Sequence, residues 1–316
     1  MKFKKIIACA ILITFTSSVT TYANAAEIER NNNLENRIEE VTGIEDISTN
    51  LSYSDKYIAI ADGTNTTVEI PKDATDKITL DAAYDEDEDI SIKLPNEAVG
   101  SDANITKNGT VIYKNEEQPV SFAVQPINNN SFEGVRTLIN IKNNTAPKEY
   151  SFTFDLDEGS KLISDSEYLG EEFSSGEIFI VNSENIIVGI IDKPWAYDAN
   201  GEAVETYYRI DNTNTLTQVV NFTNDNAFPI VADPSAWQVT KCAAAITWVI
   251  GSTVFAAAKI LRIKKYIATL GGIKSAATLL MGATTAAERL EIGGSALMNL
   301  ASEILGIAAV QDNCFP

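Results

Sequence analysis

The sequence predicts an α+β, multidomain protein, an N-terminal antiparallel β-sandwich-like region followed by a small C-terminal helical bundle. Three observations predict it. From about residue 51 to residue 220, apolar and polar residues alternate in short runs. Beyond Ser235 the apolar residues recur at helical spacing, in a stretch rich in alanine, isoleucine and glycine. Charge changes sign at the same place. Residues 27–234 hold 14 basic and 40 acidic side chains, a balance of −26. Residues 235–316 hold 7 and 4, a balance of +3, within a total of −20. A switch of period from 2 to 3.6 marks a switch of element type, and strands followed by helices indicate segregated β and α layers.

Residues 1–25 read as a signal peptide. Lys2, Lys4 and Lys5 form a positive start, residues 6–19 an apolar core shorter than a spanning helix needs, and Ala23-Asn24-Ala25 a small-x-small cleavage site. A lipid-attachment cysteine should follow the apolar core, whereas Cys9 lies within its beginning, so cleavage after Ala25 is the expected processing. Secretion into the extracellular space follows, which permits disulfides. No LPxTG motif is present, so release rather than wall attachment is expected.

Residues 26–50 read as a polar, partly helical lead-in, with Ile38, Val41 and Ile44 on a weak helical face. The β-rich region, one domain or two, is expected over 51–226. Its strands are read at 57–60, 67–70, 77–80, 90–94, 111–113, 120–124, 138–141, 150–154, 178–181, 186–191, 207–210 and 216–220. Turn clusters such as Asp62-Gly63-Thr64-Asn65 and Pro95-Asn96 separate them. A proline-containing linker, 227–235, follows, in which Pro229 and Pro234 stiffen an extended segment and Ser235 is placed to cap the next helix.

The helical module is expected over 236–316. Residues 242–258 carry no formal charge and lie between Lys241 and Lys259. Seventeen residues sit at the short limit for a membrane span. The many alanines and the Gly251-Ser252-Thr253 interruption fit equally a central helix buried on all sides. In the next helix Ile263, Tyr266, Ile267 and Leu270 share one face and Lys259, Arg262 and Lys265 another, before Gly271-Gly272 as a stop. A helix over 273–281 ends at Gly282. A last one is capped by Thr284 or Thr285 and runs through Leu290, Leu297, Ala301 and Ile304, with Gly293-Gly294 costing roughly 1 kcal/mol per glycine against alanine. With Cys9 removed, Cys242 and Cys314 are left to pair. A bundle of this size is marginal for one core, so a disulfide closing it is expected.

Chemistry is constrained mainly by what is missing. The chain has no histidine, which excludes Ser-His-Asp and Cys-His catalysis and the usual zinc sites. It has no phosphate-binding glycine loop or dinucleotide fingerprint. The run Asp85-Glu86-Asp87-Glu88-Asp89 lacks the spaced ligands and glycine of a calcium loop, so a solvated turn is expected. Trp195 and Trp237 are read as packing residues. The acidic balance argues against nucleic-acid partners. No enzyme activity, cofactor or metal is therefore expected. The positive balance of the tail suits anionic membrane surfaces, with Lys259, Arg262, Lys264 and Lys265 as the membrane-contact candidates, or docking on its own acidic β region. No feature sets an oligomeric state.

The run from Gly201 through Thr215-Leu216-Thr217-Gln218-Val219-Val220 to Phe228-Pro229-Ile230-Val231-Ala232-Asp233-Pro234 resembles a junction in secreted modular proteins of Gram-positive bacteria. In those proteins a β-rich N-terminal region precedes variable C-terminal modules. The tail, with Lys241-Cys242-Ala243-Ala244 and the final Cys314, looks like such a module. The resemblance covers about 35 residues at the junction, implies a secreted modular protein and transfers no catalytic residues. Three functions stay open: a membrane-active, antimicrobial or toxin-like module carried by an acidic β domain; an extracellular binding or surface protein with a structural helical cap; and membrane anchoring through residues 242–258.

Overall fold

The computed structural model describes residues 34, 36–43, 47, 51–64, 66–82, 89–129, 132–238, 241–252, 254–283 and 285–315. The expected signal peptide and most of the acidic run at 85–89 lie outside these residues. Residues up to Glu45 form one compact unit and Asp46–Pro316 another. In the first, residues 36–42 are helical, with Arg37 and Glu40 ion-paired at 2.9 Å one turn apart.

The second unit begins with the alternating runs, which form two antiparallel sheets. One contains, in spatial order, β1 (Leu51–Ser52), β2 (Tyr57–Asp62), β3 (Thr66–Pro71), β4 (Lys77–Ala82), β5 (Ile90–Lys93), β10 (Glu149–Asp155), β16 (Thr215–Val220) and β15 (Thr206–Asn212). The other runs β11 (Lys161–Ser164), β12 (Ile178–Val181), β13 (Ile187–Ile191), β18 (Ser235–Gln238), β9 (Phe132–Ile141), β8 (Val120–Asn129), β7 (Val111–Lys114) and β6 (Asp102–Ile105). In it β17 (Ile230–Asp233) also pairs with β9 and carries β14 (Trp195–Tyr197). Strands from either side of residues 157–160 enter both sheets, so the β region is a single sandwich.

Alternation explains the packing. In β10, Tyr150, Phe152 and Phe154 are buried while their neighbours are exposed, as period 2 requires of a sheet with one covered face. Phe122 of β8 meets Tyr150 of β10 edge-on, ring centres 6.3 Å apart, across the sandwich. The Tyr113 hydroxyl donates to the Pro71 carbonyl, 2.5 Å away, which satisfies the polar end of a buried ring.

The proline-containing segment departs from expectation. Residues 227–235 are not a free linker: β17 and β18 are woven into the ten-stranded sheet, and Ser235 pairs with Arg136 on β9 instead of capping a helix. The Ser235 hydroxyl is taken by the buried Asp233 carboxylate at 2.8 and 2.9 Å. The physical reason lies in the unbroken apolar run Ile230-Val231-Ala232, which finds a partner strand in β9.

Helices follow. A short α1 (Asp165–Leu169) lies between β11 and β12, and after β18 come α2 (Lys241–Gly251), α3 (Ala257–Thr269), α4 (Ile273–Met281), α5 (Ala286–Ile304) and α6 (Ala308–Cys314). Thr285 caps α5 in a reciprocal capping box with Glu288. Gly271 and Gly272, at φ 88° and 103°, end α3 as the left-handed region requires of glycine. The Gly293-Gly294 pair is a break rather than a tolerated passage, because Gly294 adopts φ 59°, ψ −155° within α5.

The helices do not enclose a core of their own. Ile246, Val249, Ile263, Ile267, Ile273, Leu280, Leu297 and Leu300 form one cluster with Ile163, Phe179, Val181, Ile187 and Ile190 of β11–β13 and with Leu169 and Phe173. The alternate residues Leu162, Ile178, Ile180, Val188 and Ile191 belong to the sandwich core. These three strands are therefore covered on both faces. That explains why 178–181 and 187–191 are continuous apolar runs instead of alternating ones.

Candidate functional site

The segment of residues 242–258 carries the site, and its local chemistry shapes it. No single helix spans it: α2 ends at Gly251, and α3 starts at Ala257. Within α2, Cys242, Ala243, Ile246, Thr247 and Val249 face inward. No helix among the described residues is long and apolar enough to cross a membrane. The disulfide joins Cys242, in the first turn of α2, to Cys314, the last residue of α6. Both cysteines are fully buried.

The break between α2 and α3 turns apolar side chains outward. Trp248 is 40% exposed, Val254 78% and Leu261 53%. Half-buried Phe255 meets Trp248 edge-on with ring centres 6.1 Å apart. Beside them lies an open groove of about 400 Å³. Leu169, Phe173, Ile250, Phe255, Ile260 and Leu261 supply its apolar lining, and Glu172 and Lys264 sit at its edge. Isolated exposed apolar residues are ordinary, but a contiguous set marks a contact surface.

The four cationic candidates are placed differently from one another. Arg262 makes a two-pronged contact with Glu303, at 2.5 and 3.2 Å. This contact raises the guanidinium pKa and holds the Glu303 carboxyl below its ordinary value. Lys264 turns inward and donates to the carbonyls of Leu169 (2.9 Å) and Tyr168 (3.3 Å) at the end of α1, and burial lowers its pKa. The Lys259 ammonium lies 5.2 Å from the centre of the Phe255 ring, within cation–π range. Lys265 is exposed. Lys259 and Lys265 thus remain the cations nearest in role to the expectation, while Arg262 and Lys264 have partners on the chain itself.

Sequence reading missed Trp248, Val254 and Leu261 as surface residues. Their signal was the Gly251-Ser252 interruption itself, which ends α2 and leaves the flanking apolar residues on the surface. Trp195, read as a packing residue, stacks in tilted fashion on Tyr197 at 5.6 Å. The Trp237 side chain lies outside the described residues. Of the acidic run, Asp89 accepts from the Ala82 amide at 2.9 Å, which is a turn contact. Among the described residues, no group of three or more metal-ligating side chains converges. Comparison with protein-family models, with curated proteins and with solved structures finds no match to this chain.

Proposed function

We propose that this is a secreted, non-enzymatic protein whose disulfide-closed helical module contacts anionic membrane surfaces through its α2–α3 edge. The acidic sandwich is its carrier, covering the module's other apolar face with β11–β13. One observation carries this reading: Trp248, Val254, Phe255 and Leu261 gather on one outward edge, with Lys259 held over the Phe255 ring. Apolar side chains enter the headgroup boundary while neighbouring lysines meet lipid phosphates. The amino-terminal sequence pattern and the disulfide both fit an extracellular setting. An antimicrobial or toxin-like action on related bacteria is the corresponding biological role. A second reading, a surface protein with the helices as a structural cap, is favoured by the core shared between the helices and β11–β13.

The two readings separate on vesicles. The full oxidised chain is mixed with phosphatidylglycerol vesicles and, in parallel, with phosphatidylcholine vesicles, and both sedimentation and dye release are followed. The membrane reading expects binding to the anionic vesicles alone, weakened by salt. It also expects roughly tenfold or greater loss of binding in Leu261→Asp and Val254→Asp, from the cost of placing a charge in the apolar boundary. Both variants should keep the parent's melting temperature, because these side chains lie outside the core. A folded parent that ignores anionic vesicles would leave the cap reading.

A further inference from the structure

At the seam where α4 meets the ten-stranded sheet, one serine stands between two buried carboxyl groups. Asp165 and Glu177 are 1% and 5% exposed. The Ser175 Oγ lies 2.8 Å from Asp165 Oδ2 and 2.9 Å from Glu177 Oε2. A hydroxyl has one proton, so it donates to one carboxylate only. If both acids are ionised, the remaining contact sets lone pair against lone pair. Asp165 is well supplied as an anion, taking the Ser174 hydroxyl at 2.7 Å and the backbone amides of Ser175, Gly176 and Glu177 at 2.5, 2.9 and 3.3 Å. For the Glu177 carboxyl, the hydrogen-bond partner among the described residues is Ser175.

The helical module presses on this carboxyl. A Cβ built on Gly272, at the start of α4, would lie 2.5 Å from Glu177 Oε2. The charged groups facing Glu177 are Asp165 on α1, Asp192 just after β13 and Lys274 on α4. Lys274 is held by Asp192 at 2.7 Å. It also faces Arg136 of β9, which lies 3.5 Å from Asp233. Glu177 and Asp192 thus share the Lys274 ammonium, which Asp192 holds directly.

We propose that Glu177 is a proton-gated latch between the helical module and the sandwich. Protonated, it donates to Ser175, Ser175 donates to Asp165, and the start of α4 stays seated against Glu177 and Asp192, which flank β12 and β13. When Glu177 loses its proton to solvent, the relay is broken and a buried anion faces Gly272, so α4 loosens. The disulfide lies wholly within the module, so α2 and α6 stay tied to each other when the start of α4 loosens. None of this depends on a membrane being the target.

Burial, reinforced by Asp192 and Asp165 and opposed by Ser175 and Lys274, pushes the Glu177 carboxyl up to about 7. A raised acid contributes stability that is complete below its ordinary value of 4.5 and is lost as pH rises through about 7. The positive end of α4 favours the anion and offsets part of this. Seating should therefore weaken from about pH 4.5 up to about pH 7 and level off above it, with the last, about tenfold, part of the loss falling between pH 6 and pH 8.

The test is amide exchange on the full oxidised chain, expressed as protection relative to the intrinsic rate. Protection in α4 should fall about tenfold between pH 6 and pH 8, as linkage predicts for this shift. Protection in β8 and β9 should not change. In Glu177→Gln the α4 protection should be level across the same range. A level profile in the parent, or an equal fall in Glu177→Gln, overturns the latch. Should Glu177→Gln fail to fold, carbon-detected titration of Glu177 in the unaltered chain decides instead: a midpoint near 7 supports the latch, and one near 4.5 overturns it.

Discussion

The two hydrophobic cores are built from different materials. The sandwich core is lined by Tyr113, Phe122, Tyr150, Phe152, Phe154 and Phe222, all supplied by the β region. The helical core relies on Ala243, Ala245, Ala276, Ala277, Ala283 and Ala301 beside isoleucines and leucines, and it borrows Phe173 and Phe179 from upstream. Alanine lets helices approach closely but removes little apolar area from water, and stabilisation scales with that area. A bundle of this size is marginal alone. Charge and period therefore mark a boundary in sequence that does not coincide with a boundary between cores. The helices complete themselves on a sheet face that their own segment does not encode.

The comparison breaks most readily at Phe179. Its ring is fully buried on the helical side of β12 and meets Tyr168 edge-on at 5.7 Å. Phe179→Ala should cost on the order of 3–5 kcal/mol and should be visible in urea unfolding as early loss of helical signal. Next comes the disulfide. The cysteines are 72 residues apart, and chain-entropy arithmetic assigns a closure of that length on the order of 4 kcal/mol. Replacing both with alanine should lower the helical transition while leaving the sandwich transition in place, as followed by circular dichroism and by tyrosine fluorescence. A smaller effect sharpens the contrast. Thr285→Ala removes the hydroxyl that accepts from the Glu288 amide at 3.2 Å, which should cost about 1 kcal/mol, confined to α5 in amide exchange.

Much of this fold was legible in the residues. Alternation at 150–154 named a one-sided strand, Gly271-Gly272 named a helix end, and the pairing of Cys242 with Cys314 followed from the count of cysteines. Other features were not, for physical reasons. β17 and β18 hid behind prolines because Pro229 lies just before one strand and Pro234 between the two, positions that leave both ladders intact. β6, with the sequence Asp-Ala-Asn-Ile, is too polar to announce itself. The unbroken runs at 178–181 and 187–191 did signal two covered faces, but periodicity cannot say what covers them.

The candidate site was legible in composition and not in geometry. The four cations could be named, but whether each pointed to solvent depended on Glu303 and on the carbonyls at the end of α1, which lie far away in sequence. The Ser175 relay was invisible for another reason. Asp165 and Glu177 meet because the β11–β12 register sets Ser164 opposite Ile178, and the Asp165 amide donates to the Glu177 carbonyl at 3.1 Å, a register that periodicity does not reveal.

That the helices have no core without the sheet is tested directly by region-resolved hydrogen exchange on the unaltered, oxidised chain at fixed pH. Protected amides of α2, α4 and α5 should open together with those of β11–β13, while β8 and β9 exchange more slowly and in a separate step. Helices that keep their protection after β11–β13 have opened would contradict the claim.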